Sequence, residues 1–161
     1  MEIQAVDPSQ YEAAGRVTAG AYAEFAPPGD SEWEEYLQTI ANVGGRAERT
    51  LVIAAVEEGR ILGTATLEME QTLVDDDVEL PPDTASLRML GVDPAARGRG
   101  VGRALVEACL ERARAAGKRV MVLRTTERME VAALYRSLGF ERDPERDLEG
   151  DLRLVAYRLA L

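Results

Sequence analysis

The chain has 161 residues and a formal net charge of −10, because 29 acidic residues outnumber 19 basic ones. Hydrophobic residues make up 46% of it, but its longest apolar run, residues 51–56, is far too short to cross a bilayer, so we expect one soluble domain without a membrane partner. Histidine is absent and Cys109 is the single cysteine, which excludes imidazole chemistry, an internal disulfide and a cysteine-based zinc site, and no metal is expected.

Two helices are predicted at the start of the chain, before any strand. Apolar residues recur at helical spacing from Pro8 to about Ala23, and Asp7 is suited to cap the first turn. A second helix is predicted to begin after Asp30 or Ser31 and to stop at the glycine pair 44–45.

A β-hairpin is predicted after the helices. The stretches 51–56 and 60–70 are rich in β-branched residues and flank the turn 57–59, which is typical of two antiparallel strands. The run 72–83 contains three consecutive aspartates and a proline pair. It indicates an acidic loop inside the domain rather than a domain boundary.

The second half of the chain is predicted to alternate strands and helices. The elements are a buried strand at 86–92, a helix from 101 to 117, a strand at 119–124, a helix at about 130–138 and a last strand at 152–161. The resulting order is α, α, β, β, β, α, β, α, β. This order predicts an α/β or α+β single domain.

Charge is distributed unevenly between the two halves. Residues 1–84 contain 4 basic and 18 acidic residues, whereas residues 85–161 contain 15 and 11. The basic half suits an anionic ligand, and the acidic half favours a cationic one. Nucleic acid is not expected as a partner, because the net charge is negative and the basic residues are interleaved with acids.

A glycine-rich turn separates the strand at 86–92 from the helix that follows it. Its residues are Arg97, Gly98, Arg99, Gly100, Val101, Gly102 and Arg103. Alternating glycines expose backbone N–H groups at the start of a helix. These donors and the three arginines are expected to converge on one spot, so the turn suits a pyrophosphate. The glycine spacing fits neither a Rossmann dinucleotide turn nor a P-loop.

This turn resembles the cofactor turn of the GNAT superfamily of acyl-CoA-dependent N-acyltransferases. That turn reads Gln/Arg-x-x-Gly-x-Gly/Ala and is met here by Arg97, Gly100 and Gly102. Two further segments resemble the family in the same order, Leu90-x-Val92-x-Pro94 before the turn and Ala133-Leu134-Tyr135-x-x-x-Gly139-Phe140 after it. The resemblance is clear from about residue 86 to residue 140.

The resemblance implies a GNAT-like single domain over residues 1–161. Its mixed central sheet would contain a splayed strand pair and carry helices on both faces. Residues 1–84 would supply acceptor-side helices and a hairpin, and residues 85–161 the acetyl-CoA-binding half. The splay would follow the strand at 86–92, where Gly91 is compatible with an irregular backbone.

Acetyl-CoA is the co-substrate that the resemblance implies. Residues 97–102, with Arg103 beside them, would hold the CoA diphosphate. Backbone groups of Leu90, Gly91 and Val92 would bind the pantetheine arm, and one of these amides would polarise the thioester carbonyl.

Tyr135 matches the family tyrosine that protonates the departing CoA thiolate. Its position on an apolar helical stripe favours core packing when taken alone, but the Gly139-Phe140 that follows favours the acid.

The general base is less well defined, because many relatives carry Glu where this chain has Ser86, and a hydroxyl of normal acidity does not take a proton from an ammonium. Glu68 or Glu70 on the adjacent strand could act through water, or the amine could arrive neutral. From the pattern alone, both glutamates are expected to be ordinary exposed strand residues.

The expected function is transfer of an acetyl group from acetyl-CoA to a primary amine of a small molecule, peptide or protein. Cys109 lies on the buried face of its helix, which favours direct transfer in a ternary complex over a covalent intermediate. Four aromatic residues could line the acceptor pocket, although plain packing explains them equally well: Tyr22, Phe25, Trp33 and Tyr36. The alternative function is a non-catalytic acyl-CoA-binding sensor or scaffold.

Three expectations concern partners and compartment. The acidic first half favours a cationic amine acceptor. A homodimer is compatible with the sequence. Because residues 1–25 lack a basic cluster followed by an apolar stretch, no secretory signal is predicted, and the expected compartment is the cytoplasm.

Overall fold

A seven-stranded mixed sheet forms the centre of the fold in this computed structural model, which describes residues 1–70, 80–127, 131–150 and 153–161. The strand order is β1-β2-β3-β4-β5-β7-β6, and all neighbours are antiparallel except β4 and β5, which are parallel. The strands are β1 (Glu2–Ala5), β2 (Leu51–Glu57), β3 (Arg60–Glu68), β4 (Thr84–Val92), β5 (Val120–Thr126), β6 (Glu141–Arg142) and β7 (Leu154–Ala160).

Asp and Asn side chains mark the starts of some of the described helical segments. The helices are α1 (Tyr11–Ala23), α2 (Ser31–Ala41), α3 (Val43–Ala47), α4 (Val101–Ala115) and α5 (Ala132–Ser137). Asp7 caps the 3₁₀ turn that leads into α1, where its carboxylate accepts a hydrogen bond from the Ser9 N–H at 2.9 Å. Asp30 caps α2 in the same way. None of the helices in the described ranges is both long enough and apolar enough for a membrane crossing.

The structure differs from the predicted elements at the start and near the end of the chain. Strand β1 precedes the helices, as a short edge strand on β2. Helix α2 ends at Ala41, and Gly44 and Gly45 lie inside α3, because Asn42 caps this extra helix through the Gly45 N–H. The two-residue β6 was also not predicted. Most of the acidic loop predicted at 72–83 lies outside the described residues.

The sheet is covered by helices on both faces, as the resemblance implied. In β2, Ile53 and Ala55 belong to the larger core under α4, whereas Val52 and Ala54 belong to the core under α1 and α3. Successive side chains of a strand point to opposite faces, so a strand between two helical layers is apolar throughout. The run 51–56 is therefore buried on both sides.

Helix α1 lies unusually close to its neighbours because two glycines leave room for it. A Cβ on Gly15 would overlap with the carbonyl oxygen of Ala41, at the end of α2. A Cβ on Gly91 in β4 would lie 3.1 Å from the Cβ of Ala21 and 3.4 Å from the Cα of Thr18. These contacts hold α1 and α2 over the same face of the sheet.

Strands β4 and β5 separate halfway along β4. Their pairing runs from Thr84 and Val120 to Leu87 and Leu123, after which β4 continues against β3 alone and β5 against β7 alone. The register between β3 and β4 also shifts before Gly91, and Met89 has a φ of 50°. The splay is therefore present, but the irregular backbone lies at Met89, whereas Gly91 serves close packing.

Candidate active site

Two cavities meet where β4 and β5 separate. We call the larger the turn cleft. It has a volume of about 620 Å³ and is lined by Ala21, Glu24, Phe25, Leu90, Gly91, Val92, Arg97, Gly98, Gly102, Val131 and Leu134. We call the smaller the splay pocket. It has a volume of about 110 Å³ and is lined by residues 86–90 of β4, residues 122–126 of β5, Tyr22, Tyr36, Val131, Tyr135, Arg146, Leu148 and Leu154. Leu90 and Val131 line both cavities, so the two are contiguous.

The glycine-rich turn presents the N-terminus of α4 to the turn cleft. Gly98 and Gly100 have φ values of +75° and +79°, a region that glycine adopts readily. Because Gly100 is the N-cap, no cap side chain occupies the first-turn amides of this 15-residue helix. Gly102 lines the cleft, and a Cβ there would lie 3.4 Å from Leu134 Cδ2. This cradle of N–H groups at a helix N-terminus fits a diphosphate.

The three arginines of the turn point to different partners instead of converging. Arg97 lines the cleft and pairs with Glu24 at the end of α1. The side chain of Arg99 donates to Glu57 at 2.6 Å, at the end of β2. Arg103 donates to the hydroxyl of Ser137 at 2.7 Å. Of the three, Arg97 alone is a lining residue of the cleft, and its exposed ion pair is weak enough to exchange for a phosphate.

The other residues predicted to bind the cofactor lie in two different environments. Leu90, Gly91 and Val92 line the turn cleft along β4. Val101 is 2% exposed and packs its side chain into the core, so only its backbone is directed to the turn.

Tyr135 of α5 is both a core residue and part of the wall of the splay pocket. Its ring is 5.6 Å from that of Phe140 and 6.1 Å from that of Tyr157, measured between centroids. Burial raises the pKa of Tyr135 well above its usual value. The phenol is therefore protonated at neutral pH and has a proton to donate. The core-packing interpretation of this residue is confirmed, and its assignment as the general acid stays a prediction.

Cys109 is fully buried on α4. Burial raises the pKa of its thiol to about 12. A thiol with this pKa is not a nucleophile at neutral pH.

The glutamates predicted on the adjacent strand have different environments. Glu68 is 4% exposed, which corrects the expectation of an exposed residue, because β3 is an inner strand covered on both faces. Its carboxylate accepts a hydrogen bond from Arg88 at 3.2 Å, and it pairs in register with Ser86. Glu70 is exposed beyond the end of β3 and is not a lining residue of either cavity.

The splay pocket also contains residues for which the sequence predicts no role. Three are arginines, Arg88, Arg124 and Arg146. Arg88 and Arg124 could have been noticed as charged residues inside otherwise apolar strands. Of the aromatic residues considered earlier, Tyr22 and Tyr36 line this pocket, with ring centroids 6.5 Å apart.

The remaining two aromatic residues have other positions. Phe25 lines the turn cleft, whereas Trp33 is buried against Tyr36, with a centroid distance of 5.6 Å. Trp33 therefore acts by packing behind a wall residue of the splay pocket.

Comparisons with known sequences identify a family for most of the chain. Residues 17–140 match the sequence profile of the acetyltransferase (GNAT) family. Over 62 residues the chain is 44% identical to the N-alpha-acetyltransferase RimI of Mycobacterium tuberculosis. That match spans 38% of this chain and 38% of the relative.

Solved structures of low sequence identity share the fold over nearly the whole chain. The ribosomal-protein-alanine N-acetyltransferase of Brucella melitensis superposes with a TM-score of 0.73 at 22% identity and full coverage of both chains. The PaiA N-acetyltransferase of Thermoplasma acidophilum, in complex with coenzyme A, has a TM-score of 0.74 at 15% identity, covering 96% of each chain. A GNAT acetyltransferase of Brucella melitensis with acetyl-CoA has a TM-score of 0.62 at 24% identity, covering 99% of this chain and 87% of the other.

The profile match, the shared fold and the helix N-terminus at the turn cleft lead to one conclusion. The chain belongs to the acetyltransferase (GNAT) family.

Proposed function

We propose that this chain transfers the acetyl group of acetyl-CoA to a primary amine by direct attack in a ternary complex. The observation that carries the proposal is the junction of two cavities at Leu90 and Val131. One cavity offers a site for an anion, and the other contains a protonated phenol. A donor and an acceptor entering from opposite sides would meet beside Tyr135.

The backbone of the turn and of β4 would hold acetyl-CoA. The first-turn amides of α4, from Gly100 to Arg103, would bind the diphosphate, with Arg97 leaving Glu24 to assist. Beyond Leu87, the edge of β4 that faces β5 pairs with no strand in the described parts of the chain, so its N–H and C=O groups are available to the pantetheine amides. An amide at the irregular Met89–Leu90 segment would stabilise the negative charge that develops on the thioester oxygen.

Tyr135 is the proposed general acid. The amine nitrogen forms a bond to the carbonyl carbon, the C–S bond breaks, and the departing thiolate takes the phenolic proton of Tyr135. The raised pKa of Tyr135 keeps this proton in place until the sulfur carries negative charge. Cys109, buried and protonated, takes no part in the transfer.

Two proposals remain for removal of the proton from the amine. Glu68, which accepts a hydrogen bond from Arg88, could accept it through water. Alternatively, the amine enters neutral, and the proton that its nitrogen loses after the attack returns, directly or through water, to the Tyr135 phenolate. The variant Glu68→Gln separates them: a rate loss that high pH restores indicates a base, and an unchanged pH profile indicates neutral entry. We assign no role to Glu70, because it contributes to neither cavity.

A second candidate function is an acyl-CoA-binding protein without catalysis. Ser86 favours it, because this residue lines the splay pocket where many relatives carry a carboxylate. Acetyl-CoA would then bind without turnover.

A turnover assay combined with a binding measurement tests both candidates. Release of the CoA thiol is followed with a panel of amines, and calorimetry measures the affinity for CoA. The panel includes peptides that begin with alanine. Two of the similar proteins motivate this choice, because one is named an N-alpha-acetyltransferase and the other a ribosomal-protein-alanine N-acetyltransferase. We expect turnover of at least one amine. Tight CoA binding without turnover would favour the non-catalytic function, and absence of CoA binding would contradict both.

A further inference from the structure

We propose that Asp147 is a positioning residue for acetyl transfer, because its carboxylate holds one wall of the splay pocket in place relative to Tyr135. We call this part of the lining the outer wall. It consists of Arg146, Leu148 and Leu154. Asp147 itself does not line the pocket, and its side chain is 7% exposed. The inference rests on the proposed function, since the position of the wall matters only if an amine binds against it.

The outer wall lies where the sheet has few strand partners. Beyond the splay, β5 pairs with β7 alone in the described parts of the chain, and Ala156 of β7 lies opposite Arg124. On its other edge β7 pairs with the two-residue β6, which ends at Arg142. The backbone of β7 at Ala156 therefore has to be held by groups other than a regular strand.

The Asp147 carboxylate is one of these groups. Its Oδ1 accepts a hydrogen bond from the Ala156 N–H at 2.7 Å. The Arg142 guanidinium donates to both carboxylate oxygens, at 2.8 and 2.7 Å, and its Nη1 also donates to the Ala156 carbonyl oxygen at 2.7 Å. Arg153 adds a contact of 3.4 Å to Oδ2.

Asp147 and Arg142 together bind both backbone groups of Ala156, as a neighbouring strand would. We call these two side chains the clamp. Paired hydrogen bonds between a guanidinium and a carboxylate fix the relative orientation of both groups, and charge makes them stronger than neutral ones. The clamp therefore sets the position of the turn that follows β6 against β7.

The outer wall follows the clamp because its residues are direct neighbours of Asp147 or bond to such a neighbour. Leu148 comes next in the chain and exchanges two backbone hydrogen bonds of 2.9 Å with Leu154. Arg146 comes just before, and its carbonyl oxygen accepts a hydrogen bond from Arg124 Nε at 2.8 Å. A shift of Asp147 would move these wall residues together.

The clamp also contacts the aromatic residues around the proposed acid. The Cζ of Arg142 lies 5.6 Å from the centroid of the Tyr157 ring, a distance typical of a cation–π contact. The Tyr157 ring in turn lies 6.1 Å from that of Tyr135. One guanidinium thus connects the outer wall with the neighbour of the acid. This matters because a displacement of about 1 Å between reacting groups can lower a rate by about 100-fold.

The test compares acceptor kinetics with the affinity for CoA in variants of the clamp. The acceptor is the amine of the turnover panel that has the highest kcat/KM, assayed with saturating acetyl-CoA. Asp147→Asn places an amide NH₂ group against the Arg142 guanidinium and so breaks the paired hydrogen bonds. We expect kcat/KM for the amine to fall at least tenfold, whereas the dissociation constant for CoA, measured by calorimetry, should not change.

Two controls separate positioning from a loss of stability or of charge. Asp7→Ala removes a carboxylate that also accepts a backbone N–H bond, but at the start of α1 and outside both cavity linings. Asp143→Asn removes a negative charge from the same turn as Asp147 without a side-chain cap hydrogen bond. Neither should lower kcat/KM for the amine as Asp147→Asn does. If Asp147→Asn does not fold, Arg142→Lys replaces it, because lysine keeps the charge but not the paired donors.

A parallel loss of CoA affinity and kcat/KM, or acceptor kinetics that the clamp variants leave unchanged, would overturn the inference while acetyl transfer stands. If no amine is acetylated, the proposed function fails instead. In that case, amide hydrogen exchange of the CoA-bound protein decides the inference. Exchange at Leu148 and Leu154 that is at least tenfold faster in Asp147→Asn than in Asp143→Asn supports a clamp on the outer wall, and equal exchange overturns it.

Discussion

Leu87 of β4 and Leu123 of β5 form the last pair of residues that joins these two strands. Up to this pair the sheet is continuous, and beyond it each strand follows a different neighbour. The residues immediately after the pair line the splay pocket, and the β4 residues further on line the turn cleft. A single loss of strand pairing therefore creates both cavities and joins them.

Tyr135→Phe should lower kcat by about 100-fold or more, a loss typical of a removed general acid, and should leave the affinity for CoA unchanged. The substitution removes the phenolic proton and preserves the ring contacts with Phe140 and Tyr157. Steady-state kinetics and calorimetry measure the two quantities. Tyr157→Phe is the matched control, since Tyr157 is equally buried but belongs to neither cavity lining. Equal losses in the two variants would remove the assignment of the acid.

Gly102→Glu should raise the dissociation constant for CoA at least tenfold. The new carboxylate would lie in the turn cleft at the N-terminus of α4, where it repels a diphosphate. Because a negative charge at this end stabilises the helix, the thermal stability should not fall. Gly20→Glu, at an exposed helical glycine of α1 with open space around it, is the control and should bind CoA normally. An unchanged affinity in Gly102→Glu would place the diphosphate elsewhere.

Gly15→Ala and Gly20→Ala should change stability in opposite directions, although both lie in α1. At Gly15 the new methyl group meets the carbonyl oxygen of Ala41 and forces α1 and α2 apart, which costs about 1–3 kcal/mol. At Gly20 nothing obstructs it, so alanine should stabilise the helix by about 0.5–1 kcal/mol. Urea unfolding of the two variants measures the difference, and equal effects would contradict the close approach of the helices.

Asp147→Asn should destabilise the fold near neutral pH and have progressively less effect below about pH 4. Hydrogen bonds from Arg142 and from the Ala156 N–H hold the pKa of Asp147 far below its usual value. A carboxylate with a lowered folded pKa stabilises the protein above its unfolded pKa of about 3.9, and this contribution is lost as the pH falls through the folded pKa. Urea unfolding at pH 7, 5 and 3 follows the difference from the parent chain. Asp143→Asn, at a nearby carboxylate that makes no side-chain cap hydrogen bond, is the control for the loss of one negative charge.

Cys109→Ala should retain kcat within about threefold, because a buried thiol with a pKa of about 12 supplies no thiolate for acyl transfer. Intact-protein mass spectrometry during turnover should detect no acetylated enzyme. A thiol reagent should label the native parent chain slowly and the urea-unfolded chain rapidly, since Cys109 is fully buried. An acetyl group on Cys109 would replace direct transfer by a two-step reaction.

The parts of the fold that sequence predicts well depend on neighbouring residues alone. Asp7 and Asp30 cap the helices that follow them, and Gly59 occupies the hairpin turn at a φ of +76°. The segment from β4 through α4 to β5 was predicted for the same reason. Strands β1 and β6 were missed because they are short and form only by pairing with distant strands.

The positions of the candidate site residues were harder to predict, because their side chains depend on distant partners. Glu68 is buried because helices cover both faces of β3, which the alternation of a single strand does not reveal. Two arginines of the turn, Arg97 and Arg99, form ion pairs with carboxylates at the ends of α1 and β2. Their closeness in sequence therefore did not bring their side chains to one place. By contrast, the amides around Gly100 depend on local backbone geometry, and the sequence was informative there.

Under the proposed function, the contact between Gly15 and the end of α2 would limit how this protein can be adapted to other acceptors. With no side chain between the two helices at this point, they have little freedom to slide or to tilt over the sheet. The helices that cover the splay pocket therefore keep their distance from the sheet. A larger acceptor would have to be admitted by shortening the two side chains that these helices contribute to the pocket wall, Tyr22 and Tyr36. Selection for a new acceptor should act first at these two tyrosines and leave the helices in place.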